Sequence, residues 1–169
     1  MNNLINNNKK NNEEIRKDIN NLYKDMINKY DNLNKNKTKI YDNGKYIGEF
    51  RNDLRDGKGI YYFNNGDRYE GDWKNDIREG KGIYYFNSGD IRGDRYEGDF
   101  KNNKKEGKGI YYFNNGDRYE GDIKNNKKEG RGVYYYNNGD REMGDYLNDK
   151  RIGKHVELHN NGNITSYNY

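Results

Sequence analysis

The sequence predicts an all-β protein, an elongated antiparallel meander of β-hairpin repeats preceded by a short N-terminal amphipathic helix. Three observations carry that prediction. The block KKEGKGIYYFNNGDRYEGD that starts at Lys104 returns, lightly altered, at Lys127. Only 30% of the residues are hydrophobic and 36% are charged, a balance that leans toward disorder. Yet 15% are aromatic and 19 are tyrosine, and each buried ring can remove ~150 to 250 Å² from water, so rings can supply a core that aliphatic residues do not.

The N-terminus is Asn- and Lys-rich and is expected to be disordered over residues 1–12. An amphipathic helix is expected over 13–37, because Ile15, Ile19, Leu22, Met26 and Leu33 are spaced 4, 3, 4 and 7. Packing over the open first edge of the sheet, self-association and membrane-surface binding are the roles weighed for it, in that order.

From residue 38 to 164 the chain reads as a repeat array. Aligning Tyr46, Tyr69, Tyr96 and Tyr119 gives spacings of 23, 27 and 23. Glycines then fall in four columns: Gly48, Gly71, Gly98 and Gly121; Gly57, Gly80, Gly107 and Gly130; Gly59, Gly82, Gly109 and Gly132; Gly66, Gly89, Gly116 and Gly139. A half repeat (38–45) precedes copies at 46–68, 69–95, 96–118 and 119–141. A degenerate cap (142–164), with Glu142 in the tyrosine column and His155 in a glycine column, and a tail (165–169) follow. Atypical end copies are what a stacked array needs.

Within each copy YEGDWK alternates ring or glycine with charge, as a half-exposed strand does. The segment GKGIYYF is β-branched and aromatic, and NNGD tolerates the positive φ of a hairpin turn. Each copy is therefore one hairpin, and some ten strands at ~4.8 Å spacing would make a ribbon on the order of 45 to 50 Å long. Glycines normally weaken strands, so two columns per hairpin imply a tyrosine ring lying across the missing side chain.

The pattern YxG, then GxG and a turn glycine, resembles the MORN (membrane occupation and recognition nexus) repeat, over about residues 46–164. That resemblance implies a β-hairpin solenoid and roles in scaffolding, dimerisation and, in some members, attachment to phosphoinositide membranes. A non-enzymatic scaffold that binds protein partners and can self-associate as a homodimer is the leading expectation. The second is a peripheral tether for acidic phospholipids, and the third an antitoxin-like MORN variant, which the HNNGNI tail resembles. Nucleic acid is disfavoured, since the tyrosines are better used as core than as stacking platforms.

Charge supplies the candidate sites. Residues 1–45 hold 10 Lys and Arg against 6 Asp and Glu, while the rest balances at 22 of each. Basic residues concentrate from the end of the first strand through the GxG segment, giving a basic edge whose Lys101, Lys104, Lys105, Lys124, Lys127 and Lys128 are the candidate lipid ligands. Tyr61, Tyr84, Tyr111 and Tyr134 form the column expected to meet a protein partner.

Catalytic chemistry finds little support. Ser88 and Ser166 are the only serines and there is no cysteine, so no nucleophile has a positioned base. EGKG lacks the spacing of a phosphate loop. HVELH at 155–159 is not the HExxH order, and its two histidines would lie ~13 Å apart on a strand. A two-ligand His and Glu site is disfavoured because zinc usually takes three or four ligands, so neither metal nor cofactor is expected. The RGD of Arg92–Asp94 falls in the four-residue insertion and is expected to be exposed. With no disulfide framework and no apolar run suited to a secretory signal or a membrane span, a cytoplasmic home is expected, with a peripheral seat on the cytoplasmic face of a membrane as the variant of it.

Overall fold

The computed structural model describes residues 13–26 and 36–169. Two units are distinct, residues 1–36 and 37–169. In the first, residues 13–26 form helix α1, on which Ile15, Ile19, Leu22, Tyr23 and Met26 are all exposed. The expected end of the apolar seam at Leu33 lies outside the described residues. Asn36 and Lys37, expected as helix, open the first strand instead.

The second unit is one antiparallel sheet of twelve strands in strict sequence order. The strands are β1 (Asn36–Tyr41), β2 (Gly44–Arg51), β3 (Leu54–Phe63), β4 (Arg68–Lys74), β5 (Ile77–Tyr85) and β6 (Arg95–Lys101). They continue as β7 (Lys104–Tyr112), β8 (Arg118–Lys124), β9 (Lys127–Tyr135), β10 (Arg141–Leu147), β11 (Lys150–Leu158) and β12 (Ile164–Asn168). The expected tail is therefore a strand: β12 pairs with β11, and Tyr169 exchanges two backbone hydrogen bonds with Gly153.

Two kinds of turn alternate along the edges. At one edge Asn52 and Asp53, Asn75 and Asp76, Asn102 and Asn103, Asn125 and Asn126, and Asn148 and Asp149 all adopt positive φ, the signature of two-residue type I′ turns. At the other, the NNGD turns place a glycine at positive φ and a hydrogen-bonded aspartate. The insertion that lengthens one interval folds into a single 3-10 turn, Gly89–Ile91.

The glycine columns serve different ends. Gly80 sits at φ 88° where the β4–β5 register slips, a bulge that an L side chain would strain. Gly82 is extended, and a Cβ there would strike the ring of Tyr69 at 2.5 to 2.7 Å. The expected tyrosine-over-glycine motif is thus realised at Tyr46, Tyr69, Tyr96 and Tyr119, each 0% exposed. Their hydroxyls donate to the carbonyls of Glu49, Asp72, Asp99 and Asp122 at 3.0 to 3.1 Å, so the phenols of these four rings are paired. Edge-to-face contacts carry the core from copy to copy, Tyr46 on Trp73 and Tyr69 on Phe100.

Candidate functional site

All the buried rings lie on one face of the sheet, because period two sends Tyr69, Gly71 and Trp73 one way and Glu70 and Asp72 the other. The opposite face is closed by acid–base pairs. Lys58, Lys81 and Lys108 meet Asp72, Asp99 and Asp122 across the ladder at 2.5 to 2.7 Å. Arg68, Arg95 and Arg118 each stack 4.1 Å from a tyrosine centroid on that same side.

The ring-bearing face is different. An unbroken ladder runs Tyr41, Tyr61, Phe63, Tyr84, Phe86, Tyr111, Phe113, Tyr134 and Tyr136, with centroids 4.6 to 5.9 Å apart. Of the four expected partner residues, Tyr61 is 2% exposed and the other three are half-buried. Tyr84, Tyr111 and Tyr134 donate to Asp67, Asp94 and Asp117, which also cap the backbone of Asn87, Asn114 and Asn137. Burial and then that carboxylate push the Tyr84 hydroxyl up to about 12, so it stays a donor. Burial alone would raise Asp67, but the hydrogen bonds from Asn87, Asn65, Tyr84 and Ser88 hold it below the usual carboxylate range.

Asp94 is the aspartate of the RGD triplet. It was expected to be exposed with its turn, but it is 5% exposed and bound to Tyr111, so its carboxylate is committed to the fold. The inserted residues shift the turn so that Asp94, rather than Asp90, takes the column of Asp67 and Asp117.

A column of cations crosses the ladder at the tenth position of each copy: Arg55, Arg78, Lys105, Lys128 and Arg151. Each lies over ring faces, Arg55 at 4.4 Å from Trp73 and Lys105 at 4.7 to 5.1 Å from Phe86, Tyr111 and Tyr96. At the ends of the column acids answer them: Asp76 binds Arg55 at 2.8 Å, and Asp149 accepts from the Lys128 backbone beside its charge. In the middle, neutral Asn103 and Asn126 stand in the same place. Burial pushes the Lys105 ammonium down to about 8 and lowers Arg78 as well. A cavity of about 160 Å³ opens between Lys105 and Lys128, against Tyr111, Phe113, Tyr119 and Ile123.

The six candidate lysines therefore do not share one surface. Lys101, Lys104, Lys124 and Lys127 are exposed at two adjacent hairpin tips, whereas Lys105 and Lys128 are folded into the aromatic face. Arg55, Arg78 and Arg151 were not singled out from sequence, and Lys105 and Lys128 were assigned to the basic edge instead. Counting by twos back from Tyr84 through Gly82 and Gly80 reaches Arg78, and the parity that reveals it was in plain view.

The fifth copy keeps the backbone and changes the chemistry. Glu142 and His155 replace tyrosine and glycine, and the His155 ring takes the tyrosine's place over Gly144. Its Nε2 lies 2.9 Å from the Asp145 carbonyl, the fourth-position acceptor that the tyrosine hydroxyls use in the other copies. With that nitrogen donating, the 2.8 Å contact of Nδ1 with Glu142 Oε1 is a hydrogen bond only when a proton sits between them. Tyr136 and Arg151 bind the other oxygen at 2.6 and 2.9 Å. Burial would raise Glu142, yet these donors and the Arg151 charge keep it below the usual range. One column on, Glu157 and His159 replace a further tyrosine and phenylalanine, and with Asp140 they bring three possible metal-ligand atoms within 4.8 Å of one another.

A single sheet of stacked, near-identical hairpins, each buried only by its neighbours, defines a repeat protein. The MORN repeat profile matches residues 46–68, 69–91, 96–118 and 119–141, and the chain belongs to the MORN-repeat family. No curated protein matches it. Among solved structures it is similar to the TCP domain of Drosophila melanogaster SAS-4 (dCPAP), in complex with a proline-rich motif of Ana2 (dSTIL). The identity is 16% and the TM-score 0.39, over 79% of this chain and 90% of that one. Among the described residues no helix is long and apolar enough to cross a membrane.

Proposed function

We propose that this MORN-repeat protein is a non-enzymatic scaffold whose aromatic face holds an acidic segment of a protein partner. The contrast between the two faces carries the reading. The outer face pairs its charges internally, while the ring face half-buries Arg78 and Lys105 beside neutral Asn103 and Asn126, with Asp149 and Asp94 acting on Lys105 only through space. Half-buried rings offer area at low conformational cost, and buried cations beside them reward a carboxylate that arrives with the partner.

A fluorescent peptide of alternating glutamate and leucine, titrated into the full chain, tests this. Binding should weaken sharply in Lys105→Glu, and at pH 8.5 it should take up protons, because a docked carboxylate favours the charged ammonium of a group now near 8. Lys101→Glu with Lys124→Glu should leave it unchanged. The exposed tip lysines favour a second reading, the peripheral membrane tether. Salt-dependent flotation with phosphoinositide vesicles, lost in the tip variant and kept in Lys105→Glu, together with no peptide binding, would put that reading first.

A further inference from the structure

The end of the array points to a metal site. We propose that Asp140, Glu157 and His159 bind a divalent transition-metal ion, taking zinc, and that the ion staples the last hairpins together.

The argument rests on an internal comparison. In three earlier turns the aspartate is satisfied in one way: Asp67, Asp94 and Asp117 each accept a tyrosine hydroxyl at 2.7 to 3.0 Å and a backbone N–H from the next copy. Asp140 keeps the backbone bond, with the Asn160 N–H 2.7 Å from Oδ1. Its tyrosine is gone. Glu157 stands in that column, and a second carboxylate beside Asp140 is unfavourable unless a cation lies between them. The neighbouring column, filled by Phe63, Phe86, Phe113 and Tyr136 elsewhere, holds His159. Both departures introduce metal-ligand types, and both fall on the same aspartate.

The distances suit an ion. His159 Nδ1 lies 3.3 Å from Asp140 Oδ2 and 3.9 Å from Glu157 Oε1. An ion ~2.1 Å from each ligand needs them no more than ~4.2 Å apart, so the 4.8 Å envelope must close by only about half an ångström. The second ring nitrogen is also accounted for. His159 Nε2 lies 3.0 Å from Thr165 Oγ1, an acceptor on β12 that would hold the imidazole with Nδ1 free to ligate. All three ligand side chains are partly exposed, at 14 to 25%, so an ion can enter and water can complete the shell. One imidazole with two carboxylates suits zinc or its first-row neighbours better than calcium, which prefers oxygen alone.

The ion would tie the β9–β10 turn to the end of β11, and through Thr165 to β12. That last strand is exposed along its length. The sequence reading had at most a two-ligand His and Glu site within 155–159 to offer a metal, and the third ligand arrives from a turn 17 residues before Glu157.

The test uses the full chain, zinc chloride and isothermal titration with thermal unfolding, with magnesium as the control ion. Wild type should bind one zinc and melt higher in its presence, with no response to magnesium. Glu157→Tyr and His159→Phe restore the residues of the aromatic copies, so they should fold well and lose the zinc response. Thr165→Val should weaken zinc ~10-fold without abolishing it. His155→Gly combined with Glu142→Tyr should retain it. Unchanged zinc binding in His159→Phe would place the ion elsewhere and overturn the proposal. So would a wild-type chain whose melting ignores zinc, in which case a protonated His159 alone bridges the two carboxylates.

Discussion

The first four copies and the fifth fold the same hairpin around opposite chemistries. In residues 46–141 a tyrosine ring lies on a glycine and donates to a carbonyl three residues on. In the fifth, an imidazole on Gly144 makes the equivalent bond, and a carboxylate tied to Arg151 and Tyr136 fills in behind it. The slot thus demands a planar group and a donor at one point, and hydrophobicity is only one way of meeting it. Where the slot is polar, ions follow: the fifth copy holds the buried Glu142 and His155 pair and brings Glu157 and His159 to Asp140, while the aromatic copies hold cations over rings.

The largest effect should come from removing a ring from the middle of the stack. Tyr96→Ala deletes a fully buried ring packed on Phe100 and opens a void between two glycines, so it should cost about 4 kcal/mol in denaturant unfolding. Because each hairpin is buried only by its neighbours, amide exchange should rise on both sides of β6. Glu142→Ala comes next, at about 3 kcal/mol, because it strands Arg151 and His155 but leaves Arg151 partly solvated. The double change Glu142→Tyr and His155→Gly rebuilds the aromatic slot and should match wild type or exceed it. A double variant as unstable as Glu142→Ala would break the equivalence of the two solutions.

A smaller effect, of opposite sign, is expected at Lys105. Its ammonium is half-buried over three rings, with Asp149 and Asp94 acting on it only through space, and Lys105→Met should stabilise the chain by about 1 kcal/mol, the lost desolvation penalty less the cation–π and carboxylate attraction. The pH dependence gives the sign independently. With the folded value near 8 and the unfolded one at 10.5, the unfolded chain binds more protons between them, so stability should rise from about pH 8 toward 10. Above 10 the buried tyrosines reverse the trend, since their hydroxyls ionise only on unfolding. Lys105→Met should shrink the rise to the part that Lys128, also lowered by burial, contributes, and leave the fall. A rise undiminished by the substitution would mean that Lys105 is solvated and the aromatic face less buried than its geometry requires.

Much of the fold could be read from the sequence because every copy repeats the same local decisions. Gly82 and Tyr69 reveal their contact by period, and Asn125 with Asn126 announces its own turn. The twelfth strand could not be read, since Ile164–Asn168 carries no glycine column and is exposed along its length. The cations of the aromatic face escaped for another reason. Charge summed along a segment mixes Lys104, which leaves the sheet at a tip, with Lys105, which turns inward, and only face parity separates them. Asp140 was hidden by topology, because its ligand role appears only once the β9–β10 turn meets the end of β11.

The smallest effect asks whether the turns know which core they serve. Asn125 and Asn148 open the tips of the fourth and fifth copies at φ 50° and 52°, and each is capped by a glutamate of the preceding copy, Glu106 and Glu129, at 2.9 and 3.1 Å. An L residue without asparagine's local hydrogen bonding is strained there, so Asn125→Ala and Asn148→Ala should each cost about 1 kcal/mol. The glycine versions, free of a Cβ, should lie within a few tenths of wild type. Equal costs at the two tips, measured as shifts in denaturation midpoint, would mean that the backbone lattice is indifferent to what fills the slot beneath it. A clearly larger loss at Asn148 would couple that turn to the Glu142 network across β10 and β11, and would make the fifth copy a separate folding unit with its own weak point.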